Sequence, residues 1–307
     1  MRNDLLRQKI TDLIGVQKSL PTPQYRVIDR SQQDGYTRDL IEYQTCDDHV
    51  RAYLLIPDSP NVQPAILINH QHNSEWHLGK SEVCGLAGNP LQTFGVALVQ
   101  RGFVVLAPDS ICFEDRRKNA TGIFPLPGDA DFMQHFYEMC YRIIAGENLM
   151  KKVIEDAMQG VSLLESFDYV DKNRIGTLGH SYGGNTALFL AALDTRINYT
   201  CASGSAVTYR NRMENNVGIE MASVIPGINK EYDIDDVVSC IAPRRLLIVS
   251  AENDKYSKDA DFTAEQALPA YLAYNCPSNL CHKRFSGGHD MTAERYDFII
   301  NWLINSL

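Results

Sequence analysis

The sequence predicts an α/β fold with a mostly parallel central sheet of about eight strands, helices on both faces and an N-terminal antiparallel hairpin. From residue 64 onward, short apolar runs alternate with segments long enough for helices, as in parallel sheets that are buried on both faces. Before residue 58, apolar and polar residues alternate between turn residues, as in an antiparallel hairpin. No repeat or composition break divides the chain, so residues 1–307 are expected to form a single domain.

The first elements are a helix and the hairpin. Leu5, Ile10 and Ile14 lie on one helical stripe, and residues 1–35 are assigned to a helical and strand extension. The stretches YRVIDRS and YTRDLIEYQT are typical of strands, and CDDH at 46–49 turns the chain into a further strand, VRAYLLIP. The sheet is therefore expected to begin with antiparallel strands and to continue with parallel ones.

The later elements alternate between strands and helices. Apolar runs predict strands at 64–70, 103–109, 174–180, 200–206 and 244–251. The periodicity between them predicts helices near 91–101, 148–167, 183–193, 263–274 and 291–305. Residues 110–147 form a connection that is much longer than an ordinary βα loop and rich in aromatic residues. Either a flap over a site or a packed helical insert is expected there.

The composition excludes several classes of function. With 44% hydrophobic residues, 22% charged residues and a formal net charge of −9, the chain is typical of a globular protein, and it has no long basic cluster of the kind that binds nucleic acid. No apolar run approaches the length of a membrane span. The charged N-terminus predicts no export signal, so a cytoplasmic protein with eight reduced, mostly buried cysteines is expected.

The stretch RIGTLGHSYGGNTALFLAAL carries the strongest motif. Residues 179–183 fit G-x-S-x-G and lie between a predicted buried strand and a predicted helix. In this motif the serine occupies a sharp, strained turn, so glycine is expected at 179 and 183, where a Cβ would meet the neighbouring chain. The turn exposes the Ser181 hydroxyl and directs the backbone N–H of Tyr182, at the helix N-terminus, towards developing negative charge.

A serine needs a base and an orienting carboxylate to become a nucleophile. The loop after RRLLIVSA carries Asp254, with Glu252 as the alternative acid, and the glycine-rich turn FSGGHDM carries His289. His282 occupies an alternating strand position and is expected to be structural. The order Ser, Asp, His along the chain is typical of a nucleophile that follows a middle strand and partners that follow the last two strands.

These segments resemble the α/β-hydrolase superfamily, and specifically its bacterial dienelactone-hydrolase-like and acetyl xylan esterase branch. The resemblance covers nearly the whole chain and is carried by PAILINHQHN, FVVLAPDS, YVDKNRIGTLGHSYGG, IAPRRLLIVSAENDKYS and FSGGHDM. It implies Ser181 as nucleophile, Asp254 and His289 as its partners, and the backbone N–H of Tyr182 as the first oxyanion donor. Dienelactone hydrolases use a cysteine nucleophile, so the serine favours simple ester substrates.

The stretch LINHQHNSEWHLGK departs from the glycine-containing oxyanion loop of many relatives. The second oxyanion N–H is assigned to His72, with Gln71 as the alternative. Asn73 is expected to adopt the positive φ that a glycine usually supplies in this loop. Gln71, Asn73, Trp76 and Phe113 are expected to line the substrate pocket.

A zinc site is the alternative interpretation of this stretch, because H-x-H begins the zinc sites of some metallohydrolases. Those enzymes continue with Asp and His, whereas this chain has Ser74 and Glu75 at the corresponding positions and His77 two residues further on. Since the serine motif and its two partners explain the chemistry independently, neither a metal nor another cofactor is expected.

The expected function is hydrolysis of a small carboxylic ester through an acyl-enzyme, with no nucleic-acid or membrane partner and the oligomeric state left open. An acyltransferase on the same scaffold is the first alternative, since no sequence feature distinguishes water from another acceptor. A peptidase is less favoured because the chain lacks the large N-terminal domain of prolyl-oligopeptidase relatives. A non-catalytic binding protein is less favoured because all three triad positions are filled.

Overall fold

The computed structural model describes residues 2–306, and this part of the chain forms one nine-stranded sheet. The strands are β1 (Tyr25–Gln33), β2 (Tyr36–Gln44), β3 (His49–Pro57), β4 (Gln63–Asn69), β5 (Val104–Pro108), β6 (Val170–His180), β7 (Tyr199–Ser203), β8 (Arg245–Ala251) and β9 (Leu280–Phe285). Their spatial order is β1-β2-β3-β5-β4-β6-β7-β8-β9.

Ten α-helices flank the sheet within residues 2–306. They are α1 (Arg2–Ile14), α2 (Lys80–Val83), α3 (Phe94–Val99), α4 (Ala130–Ile144), α5 (Leu149–Ser166), α6 (Tyr182–Leu193), α7 (Tyr209–Glu214), α8 (Ile234–Ser239), α9 (Ala260–Leu272) and α10 (Ala293–Ile304). Side-chain caps begin several of them: at α5, Asn148 Oδ1 accepts the backbone N–H of Lys151 at 2.9 Å. In the described range, no helix combines the length and the apolar character that a membrane crossing needs.

The sheet is antiparallel at its N-terminal edge and parallel elsewhere. β1 pairs with β2, β2 with β3 and β3 with β5 in antiparallel register, and the remaining neighbours are parallel. The predicted mixed sheet is confirmed, with nine strands rather than about eight. The sequence predicts β1 as part of an N-terminal extension. In the structure β1 pairs with β2 along its length and is the edge strand of the sheet.

Two hydrophobic layers enclose the sheet. Along β4, Leu67 faces the layer that contains α5 and α6, while Ile68 faces the layer that contains α3 and α10. Successive side chains of a strand point to opposite faces, and residues 64–69 are all buried. Because both faces are covered by helices, the parallel strands appear in the sequence as continuous apolar runs.

The carboxyl ends of the parallel strands meet at one edge of the sheet and position the candidate site. Ser181 follows β6, Asp254 follows β8 and His289 follows β9, so residues far apart in the sequence converge there. Residues 110–147 contain α4, which packs against α5 and against a 3-10 turn at Met221–Ser223. The long connection therefore carries a packed helix close to this edge.

Candidate active site

The turn between β6 and α6 presents Ser181 at the edge of the sheet. Its backbone has φ 57° and ψ −118°, a strained conformation for a residue with a side chain. The N–H of Ser181 donates to the Ser203 carbonyl at 2.8 Å, and its own carbonyl accepts the N–H of Asn185 at 3.1 Å. These two bonds hold the strained turn from both sides.

Glycines on both sides of Ser181 allow this turn. A Cβ on Gly179 would lie 2.0 Å from the Gly183 carbonyl oxygen, and a Cβ on Gly183 would lie 2.0 Å from the Asn69 carbonyl oxygen. Both obstacles are backbone atoms in a closely packed interior, which has no room to move aside. The expected need for glycine at both positions is confirmed by these distances.

A chain of hydrogen bonds links Ser181 to a buried carboxylate. His289 Nε2 lies 2.8 Å from Ser181 Oγ, and His289 Nδ1 lies 3.0 Å from Asp254 Oδ1. With the ring proton on Nδ1, Nε2 is free to accept the hydroxyl proton. The structure thus brings the three predicted residues into hydrogen-bond contact. Glu252, by contrast, is exposed, and His282 bonds to a serine hydroxyl of β8 at 2.7 Å.

The surroundings of Asp254 favour its ionised form. Burial, which leaves the residue 1% exposed, opposes the charge. Several interactions outweigh this effect of burial. They are the hydrogen bond and charge of His289, a hydrogen bond from Ser257 Oγ at 2.6 Å and one from the Tyr256 N–H at 2.9 Å. As a result, the pKa of Asp254 lies below its ordinary value. At neutral pH the ionised carboxylate therefore accepts a hydrogen bond from His289 and fixes the tautomer of the ring.

A cavity of 320 Å³ opens over Ser181, and the loop after β4 forms one of its walls. His72, Asn73 and Trp76 all line it. Asn73 has φ 39° and Ser74 has φ 59°, so the loop contains the positive φ that was expected at Asn73. The His72 and Trp76 rings stack with their centroids 5.6 Å apart, which stiffens this wall.

Two backbone N–H groups beside Ser181 are free to meet a ligand. Tyr182 is the first residue of α6, and the first N–H groups of a helix have no intrahelical acceptor. Within residues 2–306, the backbone N–H of His72 has no hydrogen-bond acceptor. Both residues line the cavity that holds the Ser181 hydroxyl, and their role as oxyanion donors stays a prediction.

Known proteins share this architecture. Residues 140–211, which include the Ser181 turn, match the family model for acetyl xylan esterase (AXE1). "Putative hydrolase YtaP" of Bacillus subtilis (strain 168) is 27% identical over 255 residues, which cover 78% of this chain and 79% of that protein. A structure described as a "putative acetyl xylan esterase" from Bacteroides fragilis NCTC 9343 superposes with a TM-score of 0.76 at 19% identity, over 92% of this chain and 74% of the other. The glucuronoyl esterase from Solibacter usitatus superposes with a TM-score of 0.68 at 15% identity, over 97% and 91% of the two chains.

The chain has the α/β-hydrolase fold. The mixed sheet and its likeness to these solved structures confirm the predicted fold class. The match to the family model over residues 140–211 confirms the predicted resemblance to acetyl xylan esterases and, with the esterase structures, supports the prediction of a carboxylic ester hydrolase. The dienelactone-hydrolase-like part of the resemblance stays a prediction.

Two histidines in the loop after β4, His70 and His72, are engaged in local hydrogen bonds. His70 Nε2 accepts the Ser110 N–H at 3.0 Å, and His70 Nδ1 lies 2.8 Å from the Gln71 carbonyl oxygen. His72 Nδ1 accepts the Ser74 N–H at 3.0 Å. Burial lowers the pKa of both histidines to about 4, so both rings are neutral at pH 7. These bonds shape the loop and join it to the segment after β5.

Two residues that were predicted to line the pocket lie behind its wall. Gln71 is buried, and its amide nitrogen donates to both carboxylate oxygens of Glu82 at 3.2 Å, so its side chain points towards α2. Phe113 is fully buried and stacks on the Tyr182 ring at 5.2 Å. That prediction is corrected for both residues: Gln71 anchors the loop, and Phe113 supports Tyr182 from the interior. The other two predicted pocket residues do line the cavity.

The cavity lining also includes His135, Arg212, Glu220 and Tyr256, which are not among the site residues predicted from the sequence. Arg212 lies in α7, Glu220 in the loop that follows it, and His135 in α4. The Tyr256 ring lies 5.6 Å from the Arg212 guanidinium carbon and packs edge-on against the His289 ring at 4.8 Å. No periodicity singles these residues out, because their positions at the cavity depend on tertiary packing. The aromatic-rich connection at 110–147 was the one available signal, and it pointed to the region of His135.

An acidic cluster near the site is occupied by a lysine. Asp109, Glu114 and Asp115 place carboxylate oxygens within 4.8 Å of one another, the one such group of metal-ligand side chains in residues 2–306. The buried Lys80 Nζ bonds to these three carboxylates at 2.8, 2.5 and 2.8 Å respectively. The ammonium therefore stands where a cation would bind, and it joins the loops that follow β4 and β5.

Proposed function

We propose that the chain is a serine-dependent carboxylic ester hydrolase that acts through an acyl-enzyme. The observation that carries this proposal is the continuous hydrogen-bonded path from Ser181 Oγ through the His289 imidazole to the Asp254 carboxylate. The serine also sits on a strained turn at a helix N-terminus and opens to a cavity. These are the features that nucleophilic attack on an ester needs.

In the first half-reaction, His289 Nε2 takes the hydroxyl proton of Ser181 while Oγ bonds to the ester carbonyl carbon. The π electrons of the carbonyl move to its oxygen, and the backbone N–H groups of Tyr182 and His72 stabilise this oxyanion. When the carbonyl re-forms, the bond to the alcohol oxygen breaks and the alcohol takes the proton from His289. The acyl group remains on Ser181.

In the second half-reaction, water takes the place of the alcohol. His289 Nε2 removes a proton from water as the oxygen attacks the acyl carbon, and the same N–H groups stabilise the second oxyanion. The bond to Ser181 Oγ then breaks, the serine regains its proton, and the acid leaves. Asp254, whose lowered pKa keeps it ionised, stabilises the imidazolium that forms in both halves.

The substrate is proposed to be a small-molecule or carbohydrate ester, because the matching family model describes acetyl xylan esterases and one structural relative is a glucuronoyl esterase. The cavity of 320 Å³ is small for a ligand site, which limits the enclosed part of the substrate to a compact group. Transfer to an alcohol or thiol would follow the same steps with another acceptor and remains the alternative. The cytoplasmic location and the lack of a nucleic-acid partner stay predictions.

Hydrolysis of p-nitrophenyl esters of increasing acyl length by the parent chain and by Ser181→Ala tests this proposal. We expect Ser181→Ala to lower kcat by about 10⁴-fold or more, because only binding and oxyanion stabilisation remain. Ser278→Ala, at an exposed serine outside the cavity, is the matched control and should retain the parent rate. Equal rates for the parent and Ser181→Ala would contradict the proposal. Strong loss of activity in EDTA would instead favour metal-dependent chemistry.

A further inference from the structure

The polar side chains that line the cavity and take no part in the ester chemistry above include His135, Arg212 and Glu220. All three are nearly buried, since His135 is 1% exposed, Arg212 is 5% exposed and the Glu220 side chain is 9% exposed. Buried polar groups in proteins are normally paired. Polar groups that face a cavity beside the nucleophile and keep unused hydrogen-bonding capacity therefore point to a ligand that fills it.

His135 presents an unpartnered donor. Its Nδ1 accepts the indole N–H of Trp76 at 3.0 Å, so the proton of the neutral ring is on Nε2. Burial keeps the ring neutral by lowering its pKa to about 3. Within the described residues, the buried Nε2 has no hydrogen-bond partner, and Glu220 Oε1 lies 4.0 Å from it, beyond hydrogen-bond range.

Arg212 is a buried cation with most of its donors available. Its Nη1 donates to the Gly218 carbonyl at 2.5 Å, and its guanidinium lies over the Tyr256 ring. No carboxylate oxygen of residues 2–306 lies within 4.0 Å of this guanidinium. A guanidinium has several N–H donors in a fixed planar fork. Because Tyr256 also packs against His289, these donors are one aromatic ring away from the reactive centre.

Glu220 supplies an acceptor at the same place. Its carboxylate caps the turn at Met221–Ser223 by accepting the Ala222 N–H at 3.1 and 3.0 Å. Burial raises its pKa to about 7 in spite of backbone hydrogen bonds and the nearby charge of Arg212. Each carboxylate oxygen has a second lone-pair direction, so the group can still accept from a ligand.

We propose that His135, Arg212 and Glu220 form a hydroxyl-binding subsite, which selects esters with hydroxyl groups close to the scissile bond; this inference rests on the proposed esterase function. A hydroxyl both donates and accepts, so it can accept from His135 or Arg212 and donate to Glu220. The 4.0 Å gap between His135 Nε2 and Glu220 Oε1 fits one oxygen that hydrogen-bonds to both.

Other ligand groups fit these three side chains less well. An alkyl group would leave His135 Nε2 without a partner and the remaining hydrogen-bonding capacity of Arg212 and Glu220 unused, and unpaired buried polar groups disfavour binding. An ammonium would meet the like charge of Arg212, and a carboxylate would meet the like charge of Glu220 once that group ionises above its pKa of about 7. A neutral hydroxyl avoids both conflicts.

Two acetate esters of the same shape test the subsite: glycerol 1-acetate, and 2-methylbutyl acetate, in which a methyl group replaces each hydroxyl. Acetate release in a pH-stat gives kcat/KM for both. We expect the parent chain to prefer the diol ester by about 10- to 100-fold, because a site that hydrogen-bonds a hydroxyl rejects the analogue without it. Arg212→Met and Glu220→Met should reduce this preference to about 3-fold or less.

Matched variants at exposed positions, Arg210→Met and Glu231→Met, should keep the preference of the parent. A parent chain that hydrolyses p-nitrophenyl acetate but does not prefer the diol ester would overturn the subsite and leave the esterase proposal intact. The subsite would also be overturned, with the esterase proposal intact, if both Arg212→Met and Glu220→Met kept the preference for the diol ester. A chain that hydrolyses none of the three esters would overturn the proposed function itself.

Discussion

The substitution Asp254→Asn separates the charge of the proposed triad from its geometry. An asparagine oxygen can take the place of Oδ1, where it accepts from His289 Nδ1 and from the Tyr256 N–H. Its NH₂ group can take the place of Oδ2 and donate to Ser257 Oγ. Because the hydrogen-bonded arrangement is retained, the variant loses only the negative charge.

The size of the effect follows from the distance between the two charges. At the 3.0 Å separation of His289 Nδ1 and Asp254 Oδ1, an effective dielectric constant of about 20 gives about 5.5 kcal/mol between imidazolium and carboxylate. The amide oxygen recovers about 1.5–3 kcal/mol of this through its hydrogen bond to the charged ring. The transition state is therefore destabilised by about 2.5–4 kcal/mol, which lowers kcat/KM by about 10²- to 10³-fold.

The assay is hydrolysis of p-nitrophenyl acetate by each purified variant, with thermal unfolding as a check on the fold. Asp290→Asn, at the exposed neighbour of His289, is the matched control and should retain activity. Glu252→Gln should also retain activity, because the alternative acid is exposed and does not contact the ring. A loss of less than about 10-fold in Asp254→Asn, or a larger loss in Glu252→Gln, would refute the role of Asp254.

Three further predictions concern stability, each measured by urea unfolding. Gly183→Ala should lower the free energy of unfolding by more than about 3 kcal/mol, because its Cβ would meet strand backbone at 2.0 Å. Gly218→Ala, with open space around it, should lower the free energy of unfolding by less than about 1 kcal/mol. Similar losses for the two variants would contradict the packing argument. Lys80→Met should lower the free energy of unfolding by about 3–5 kcal/mol, because buried carboxylates lose their counter-charge. Lys118→Met, which breaks an exposed pair, should lower it by less than about 1 kcal/mol. Equal losses for the two variants would refute the role of the buried ammonium. The pKa of Glu220, raised from 4.5 to about 7, means that the folded chain binds this proton more tightly than the unfolded chain, so stability should fall as pH rises through this window. Glu220→Gln should remove up to about 3 kcal/mol of that decline between pH 5 and pH 8, and parallel profiles for the two chains would show that the shift is absent.

The sheet could be predicted because burial on both faces leaves a direct trace in the sequence. The strands predicted at 64–70 and 244–251 match β4 and β8 to within one residue at each end. The helix predicted near 91–101 is interrupted, since a 3-10 turn at Pro90–Gln92 precedes the short α3. Thr93 separates the two with φ −74° and ψ 49°, a backbone conformation that hydrophobic periodicity does not reveal.

The candidate site could be predicted only where a motif fixes the backbone. The G-x-S-x-G turn and the order of its partners located Ser181 and His289 without any tertiary information. The direction of the Gln71 side chain depends instead on a contact with another segment, because its amide donates to the Glu82 carboxylate. Arg212, in the short α7, and Glu220, in the loop that follows it, reach the cavity through tertiary packing, so no local pattern identifies them.

Covalent labelling of Ser181 is the most direct test of the proposed mechanism. The parent chain and Ser181→Ala are each treated with a fluorophosphonate, and the products are read by intact mass and by peptide mapping. We predict one phosphonyl group per parent chain, on the peptide that contains Ser181, and none on Ser181→Ala. Labelling of both chains, or of neither, would contradict the assignment of Ser181 as the nucleophile.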